Sequence, residues 1–210
     1  PKYTPEEAGR ILAVRDLVDP RFALMIVMID DSGARRDAVR RAMRSDLDHP
    51  LEFDPGEHAP HGWILLPALK GQERPLVFLT AFQRREIDRA LTGYLRHLEA
   101  LYQTEGIDYP LFPASRVKGS RDEVIRPTPG RLPGDTRKAH RPAHRKAYEP
   151  ISAARTREWL LMAEELAGVP HVEGRGFHGF RRAVSDYLEE ATDLATLTTA
   201  LGWSSQRVPE

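Results

Sequence analysis

The sequence predicts a mainly α-helical α+β fold with one small antiparallel β-sheet. Three observations carry this. Several segments join a side-chain cap to apolar residues at helical spacing, two short apolar runs flank a polar turn containing glycine, and no period repeats along the 210 residues. With 40% hydrophobic residues the chain can bury one sizeable core, so residues 1–210 read as a single domain.

The first helix should run from Pro5 to Leu17, because Thr4-Pro5-Glu6-Glu7 offers a capping hydroxyl, proline at the first helical position and Glu three after the cap. Ile11, Leu12 and Val14 give it a buried stripe. A second helix, Arg21 to Ile29, is apolar on nearly every side and should be the central core helix. Asp31-Ser32-Gly33 breaks that run, and a third helix is expected over Arg35 to Arg44 with Val39 and Met43 inward. Trp63–Leu66 and Pro75–Leu79 read as strands around Lys70-Gly71-Gln72-Glu73-Arg74.

A long helix is expected from Ala81 to Gln103, on Ile87, Leu91, Leu95, Leu98 and Leu101, with Gly106 as its stop. Tyr109 to Pro113 is an extended connector. The stretch from Ala114 to Tyr148 is rich in Pro, Gly, Arg and Lys and nearly lacks large apolar residues, so an irregular excursion is expected there. Ser152 should cap a helix through Leu166, with Trp159, Leu160, Met162 and Leu166 inward and Gly168 and Pro170 ending it. Another helix should begin near His178 and run through Phe180, Val184, Tyr187 and Leu188. A last one, capped by Asp193, holds Leu194, Leu197 and Leu201 and stops at Gly202.

Formal net charge is zero, with 31 basic and 31 acidic residues, which argues against a uniformly basic nucleic-acid coat. The distribution is uneven. The segment 114–148 holds ten Lys or Arg against three Asp or Glu, a basic patch suited to local phosphate binding on an acidic body. The chain has no cysteine, which excludes disulfides and thiolate metal sites and fits a reducing, cytoplasmic location. No apolar run is long enough to cross a bilayer and no signal-peptide pattern opens the sequence, so no membrane partner is expected. Opening at a helix cap and stopping at Glu210, the sequence reads as a piece of something longer.

Chemistry concentrates in four places. His178 and Arg181 are three apart on an expected helix and share a face, so both can reach one phosphate. Arg35 follows a Ser-Gly-Ala turn that can aim a guanidinium into a cleft, where its planar fork makes paired hydrogen bonds to phosphate oxygens. Lys70 is the one lysine between Lys2 and Lys118, and an ammonium there can hand a proton to a leaving oxygen. Trp203, after a helix-stopping glycine, can aim its indole N–H at phosphate or serve as a core aromatic. Each feature has an ordinary structural reading alone. The pairs His58/His61 and His140/His144 lack an obvious carboxylate partner and are interrupted by proline, so no metal site is expected.

In order and spacing the set resembles the catalytic domain of the tyrosine recombinase, or phage integrase, family. The resemblance covers nearly the whole chain. Tyr3-Thr4-Pro5-Glu6-Glu7 is similar to the domain opening, Ser32-Gly33-Ala34-Arg35 to the first arginine box, and Trp63–Leu79 to the strand pair bearing the catalytic lysine. Leu111-Phe112-Pro113, His178-Gly179-Phe180-Arg181 and Leu201-Gly202-Trp203-Ser204-Ser205 resemble the later boxes.

By that resemblance, Arg35 and Arg181 clamp the scissile phosphate, Lys70 protonates the 5′-oxygen leaving group, His178 assists proton transfer and Trp203 stands where many relatives have histidine. A tyrosine attacks to give a 3′-phosphotyrosyl link. No metal or nucleotide cofactor is required. The partner is double-stranded DNA, with Arg36, Arg40, Lys118, Arg121 and Arg182 as further DNA contacts. A homotetramer on DNA is expected for the full-length protein and a monomer for a fragment.

Departures from the family pattern accompany these matches. The acidic residue usual three positions after the first arginine is Ala38, with Asp37 about 100° away around the helix. The family's spacing puts the nucleophile past Glu210, and its usual N-terminal clamp domain would precede Pro1. The basic segment 114–148 is longer than the usual connector, and reads as an added DNA contact in preference to a disordered insert. The rival to a recombinase is a catalytically decayed DNA-binding or regulatory domain of the same fold. A type IB topoisomerase is a third reading.

Overall fold

In a computed structural model, residues 1–69, 73–96, 108–114 and 149–191 are described, with side chains as far as residue 186. Helix α1 spans Pro5–Val18, α2 Pro20–Ser32, α3 Arg36–Arg40, α4 Ala81–Thr92, α5 Ala153–Leu166 and α6 Gly176–Ala191. Strands β1, Trp63–Leu65, and β2, Leu76–Phe78, pair antiparallel with Trp63 opposite Phe78 and Leu65 opposite Leu76.

Burial places α2 at the centre. Every residue from Arg21 to Ile29 is buried, and α1, α3, α4 and α6 all pack against it. A helix apolar on all sides can be accommodated only where neighbours surround it, as its sequence predicts. Its one buried charge, Arg21, is held by Asp19 at 2.7 Å and donates to the Pro113 carbonyl at 2.7 Å, with the Trp159 ring 4.9 Å away. That arginine ties the connector at Leu111–Pro113 to the core. Helix α5 lies against α1 and α6.

The expected caps form. Thr4 accepts from the Glu7 N–H at 3.2 Å while Glu7 accepts from the Thr4 N–H at 3.0 Å, and Ser152 accepts from the Arg155 N–H at 3.2 Å. Three expectations are corrected. The third helix stops at Arg40 rather than Arg44, because Met43 is extended: it bridges Pro110, and its N–H donates to Asp46 at 2.8 Å. Helix α4 ends at Thr92, where Gly93 turns the chain and its N–H still donates to the Arg89 carbonyl; the expected continuation over 97–103 lies outside the described residues. On α5, Met162 and Leu166 are exposed at 46% and 48%, and the buried stripe is Thr156, Trp159, Leu160, Ala163 and Glu164. Glu164 takes an inward place because it has partners there. The expected helix over 194–201 and the basic segment, save for Ala114, lie outside the described residues. Among the described residues no helix is long and apolar enough to cross a membrane.

Candidate active site

The first half of the site is a turn. Ser32 closes α2 by donating to the Met28 carbonyl, and its Oγ accepts from the Ala34 N–H at 3.1 Å. Gly33 sits in the left-handed region at φ 62°, a conformation glycine adopts without penalty, and its N–H donates to the Ile29 carbonyl. The chain therefore leaves α2 sharply, and Arg35 becomes the residue that opens α3.

The second half is α6. Arg181 is buried and donates Nη1–H to the Gly33 carbonyl at 2.6 Å, so the turn that launches Arg35 also grips Arg181. Burial pushes the Arg181 guanidinium down to about 10, and the charge of Arg35 pushes it the same way. The Arg35 guanidinium has no hydrogen-bond or ion-pair partner among the described residues, while its carbonyl accepts from the Ala38 and Val39 N–H groups. His178 is held below the usual imidazole range by burial first, then by Arg182, Arg181, Arg36 and Arg35. Two guanidinium groups and an imidazole thus face one cleft of about 570 Å³, lined also by Arg36, Asp37, Leu69 and Arg157. Like charges held this close repel one another, so an anion placed between them would be favoured, while Glu164 and Glu173 line another part of the cleft.

The remaining expected residues divide. Arg36 is bound to Asp37 at 3.0 Å and lies over the Phe177 ring at 5.9 Å, on the cleft wall. Arg40 binds Asp37 at 2.8 Å and the Ile151 carbonyl at 3.1 Å, which ties α3 to the start of the α5 segment. Arg182 is exposed and reaches the Pro1 carbonyl at 3.4 Å. Lys70, Lys118, Arg121 and Trp203 lie outside the described residues. Burial raises the Asp37 carboxyl, but Arg40 and Arg36 outweigh it and hold it low. Asp37 is therefore committed to those two arginines, and the position three after Arg35 is the buried methyl of Ala38.

A second cluster, which sequence reasoning missed, supports α6 and lines the same cleft through Glu164, His171 and Arg175. Arg175 binds both Glu7 oxygens at 3.1 Å, donates to the Pro170 carbonyl and lies 3.5 Å from Glu164. Glu164 accepts from the Tyr3 hydroxyl at 2.6 Å and meets His171 Nδ1 at 2.7 Å. Only the capping Glu7 was a visible signal; Tyr3 and Glu164 are 161 residues apart.

The chain has the catalytic-domain fold of the tyrosine recombinases. It aligns with XerA recombinase at 14% identity and a TM-score of 0.59, over 98% of this chain and 57% of that one. It also aligns with XerH site-specific recombinase bound to its difH substrate in a pre-cleavage complex, at 19% identity and a TM-score of 0.60, over 98% of this chain and 47% of that one. The XerH post-cleavage complex on palindromic difH gives 19%, a TM-score of 0.56, 98% and 47%. The chain thus spans about half the length of these recombinases. No protein-family model and no curated protein sequence matches it.

Proposed function

We propose that the chain is the catalytic domain of a site-specific DNA recombinase, residues 1–210 forming one domain with a basic excursion at 114–148. It acts on double-stranded DNA by strand cleavage and rejoining. The observation that carries this reading is Arg35, without a carboxylate partner among the described residues, facing Arg181 and His178 across one cleft. The XerH complexes with difH support the substrate class.

In the reaction so assigned, a scissile phosphate enters between the two forks. Charge building on its equatorial oxygens is met by guanidinium N–H groups already in place, so little reorganisation is needed at the transition state. A tyrosine oxygen bonds to phosphorus as the bond to the 5′-oxygen breaks, and that oxygen takes a proton from Lys70. His178 handles the proton on the nucleophile's side, and Trp203 covers the phosphate. The tyrosine is expected beyond Glu210. Of the described tyrosines, Tyr3 and Tyr94 have phenols that burial pushes upward, the opposite of what a nucleophile needs. Arg36, Arg40, Arg182, Lys118 and Arg121 contribute to DNA affinity, and the full-length protein works as a homotetramer.

The test is a duplex-binding titration over about 50–200 mM salt, in which log affinity falls linearly with log salt. Arg35→Ala should weaken binding more than Arg155→Ala, a surface arginine on α5. Equal effects of the two would overturn the reading. A second reading, a decayed DNA-binding or regulatory domain, is favoured by Ala38 and by the commitment of Asp37 to Arg36 and Arg40. The chain extended to its tyrosine and given a nicked suicide duplex separates the two: a covalent adduct supports the enzyme, and binding without adduct supports the module.

A further inference from the structure

Residues 1–4 form a strap along α6. Lys2 pairs with Asp186, the Pro1 carbonyl accepts from Arg182 at 3.4 Å, and the Tyr3 ring lies 4.2 Å from the Arg175 guanidinium carbon. Gly179 stands at the same ring, because a Cβ there would come within 2.8–2.9 Å of two Tyr3 ring carbons. Residues 175, 179, 182 and 186 follow one another at helical spacing, so the strap holds a single stripe of the helix over three turns. Tyr3 is its anchor: 1% exposed, 4.3 Å from the Phe180 ring, with its hydroxyl donated to Glu164.

The two site residues of α6 differ in what holds them. Arg181 is fastened from the other side by the Gly33 carbonyl. The His178 imidazole has no hydrogen-bond or ion-pair partner among the described residues, so its place among them follows the course of the helix that carries it. Tyr3 presses on Gly179, the next residue. A rotation of α6 by about 10° would carry a group about 6 Å from the axis through about 1 Å, and a displacement of that order costs on the order of a hundredfold in rate where geometry is exacting.

We propose that Tyr3 is a positioning residue for His178, acting through the close contact of its ring with Gly179 and not through any contact with DNA. The proposal rests on His178 belonging to the phosphate cleft. Its consequence is that residues preceding the first helix set the geometry of a residue 175 positions later in the chain.

NMR titration of the His178 imidazole in the 210-residue chain tests it without requiring DNA. Tyr3→Ala should move the His178 titration upward, toward the free imidazole value of about 6.5, as the ring leaves its place among the four arginines. Tyr3→Phe, which keeps the ring contact and loses only the hydroxyl, should restore the original titration. Ile87→Ala, a core truncation on α4, should lower the melting temperature and leave His178 unmoved. Should Tyr3→Ala not fold, Tyr3→Leu fills the space without an aromatic plane and should still shift the titration. An unchanged His178 titration in the folded variant, or the same shift in Ile87→Ala, would overturn the proposal. Failure of the parent chain to bind duplex DNA would instead sink the phosphate reading while leaving the titration result intact.

Discussion

Arg175 and Arg181 stand six residues apart at the start of α6, both nearly buried at 4% and 8% exposed, and their surroundings differ. Arg175 has carboxylate, carbonyl and ring neighbours: two Glu7 oxygens, the Pro170 carbonyl, Glu164 and the Tyr3 ring. Arg181 receives a backbone carbonyl and faces another cation, Arg35. Burying a charge is costly unless it is compensated, so the carboxylates around Arg175 favour its burial, whereas the charge of Arg35 works against that of Arg181. Position along the helix does not separate the two arginines; the sign of the charge next to each does.

Removing each arginine should therefore produce opposite signatures. Arg175→Ala leaves Glu164 buried without its guanidinium and should cost about 3–5 kcal/mol of stability in a denaturant titration, with a smaller loss of duplex affinity per folded molecule than Arg35→Ala. Arg35→Ala should do the reverse. It should lose roughly 1.5–3 kcal/mol of duplex affinity, about 10- to 150-fold, and reduce the salt slope by about one, with stability within about 0.5 kcal/mol of the parent. If both substitutions reduced stability alike, the contrast would fail.

Gly179→Ala sharpens the comparison from the side of packing. The added methyl meets Arg175 Cγ at 2.7 Å and the Tyr3 ring, so a loss of about 1–3 kcal/mol in unfolding free energy is expected, with the salt slope of DNA binding kept. The smallest effect is that of pH. With the folded-state imidazole of His178 held low by burial and the arginines, its share of stability is complete above the free value and is lost as pH falls through the lowered one. Bound phosphate favours the protonated ring, so duplex affinity should rise modestly as pH drops from about 7 to 5.5, and His178→Ala should abolish that rise.

Much of the fold was legible because caps and periodicity are local. Thr4, Ser152 and the unbroken apolar run of α2 each state their structure within a few residues. The turn before Arg35 and the three-residue spacing of His178 and Arg181 were legible for the same reason. What failed depended on partners far along the chain. Met43 leaves its helical pattern for Pro110, and Glu164 displaces Met162 from the inward stripe because Tyr3, His171 and Arg175 wait inside. The grip of the Gly33 carbonyl on Arg181 has no signature at all, since every residue carries a carbonyl.

That grip has a consequence for how the cleft tolerates change. One peptide unit both aims Arg35 and seats Arg181, so covalent bonds and the 2.6 Å hydrogen bond from Arg181 to the Gly33 carbonyl tie the two forks together. Breathing of the outer helices, or wholesale replacement of their surface residues, should leave the width of the seat untouched. Swapping Gly33 for any bulkier residue should spread both forks together.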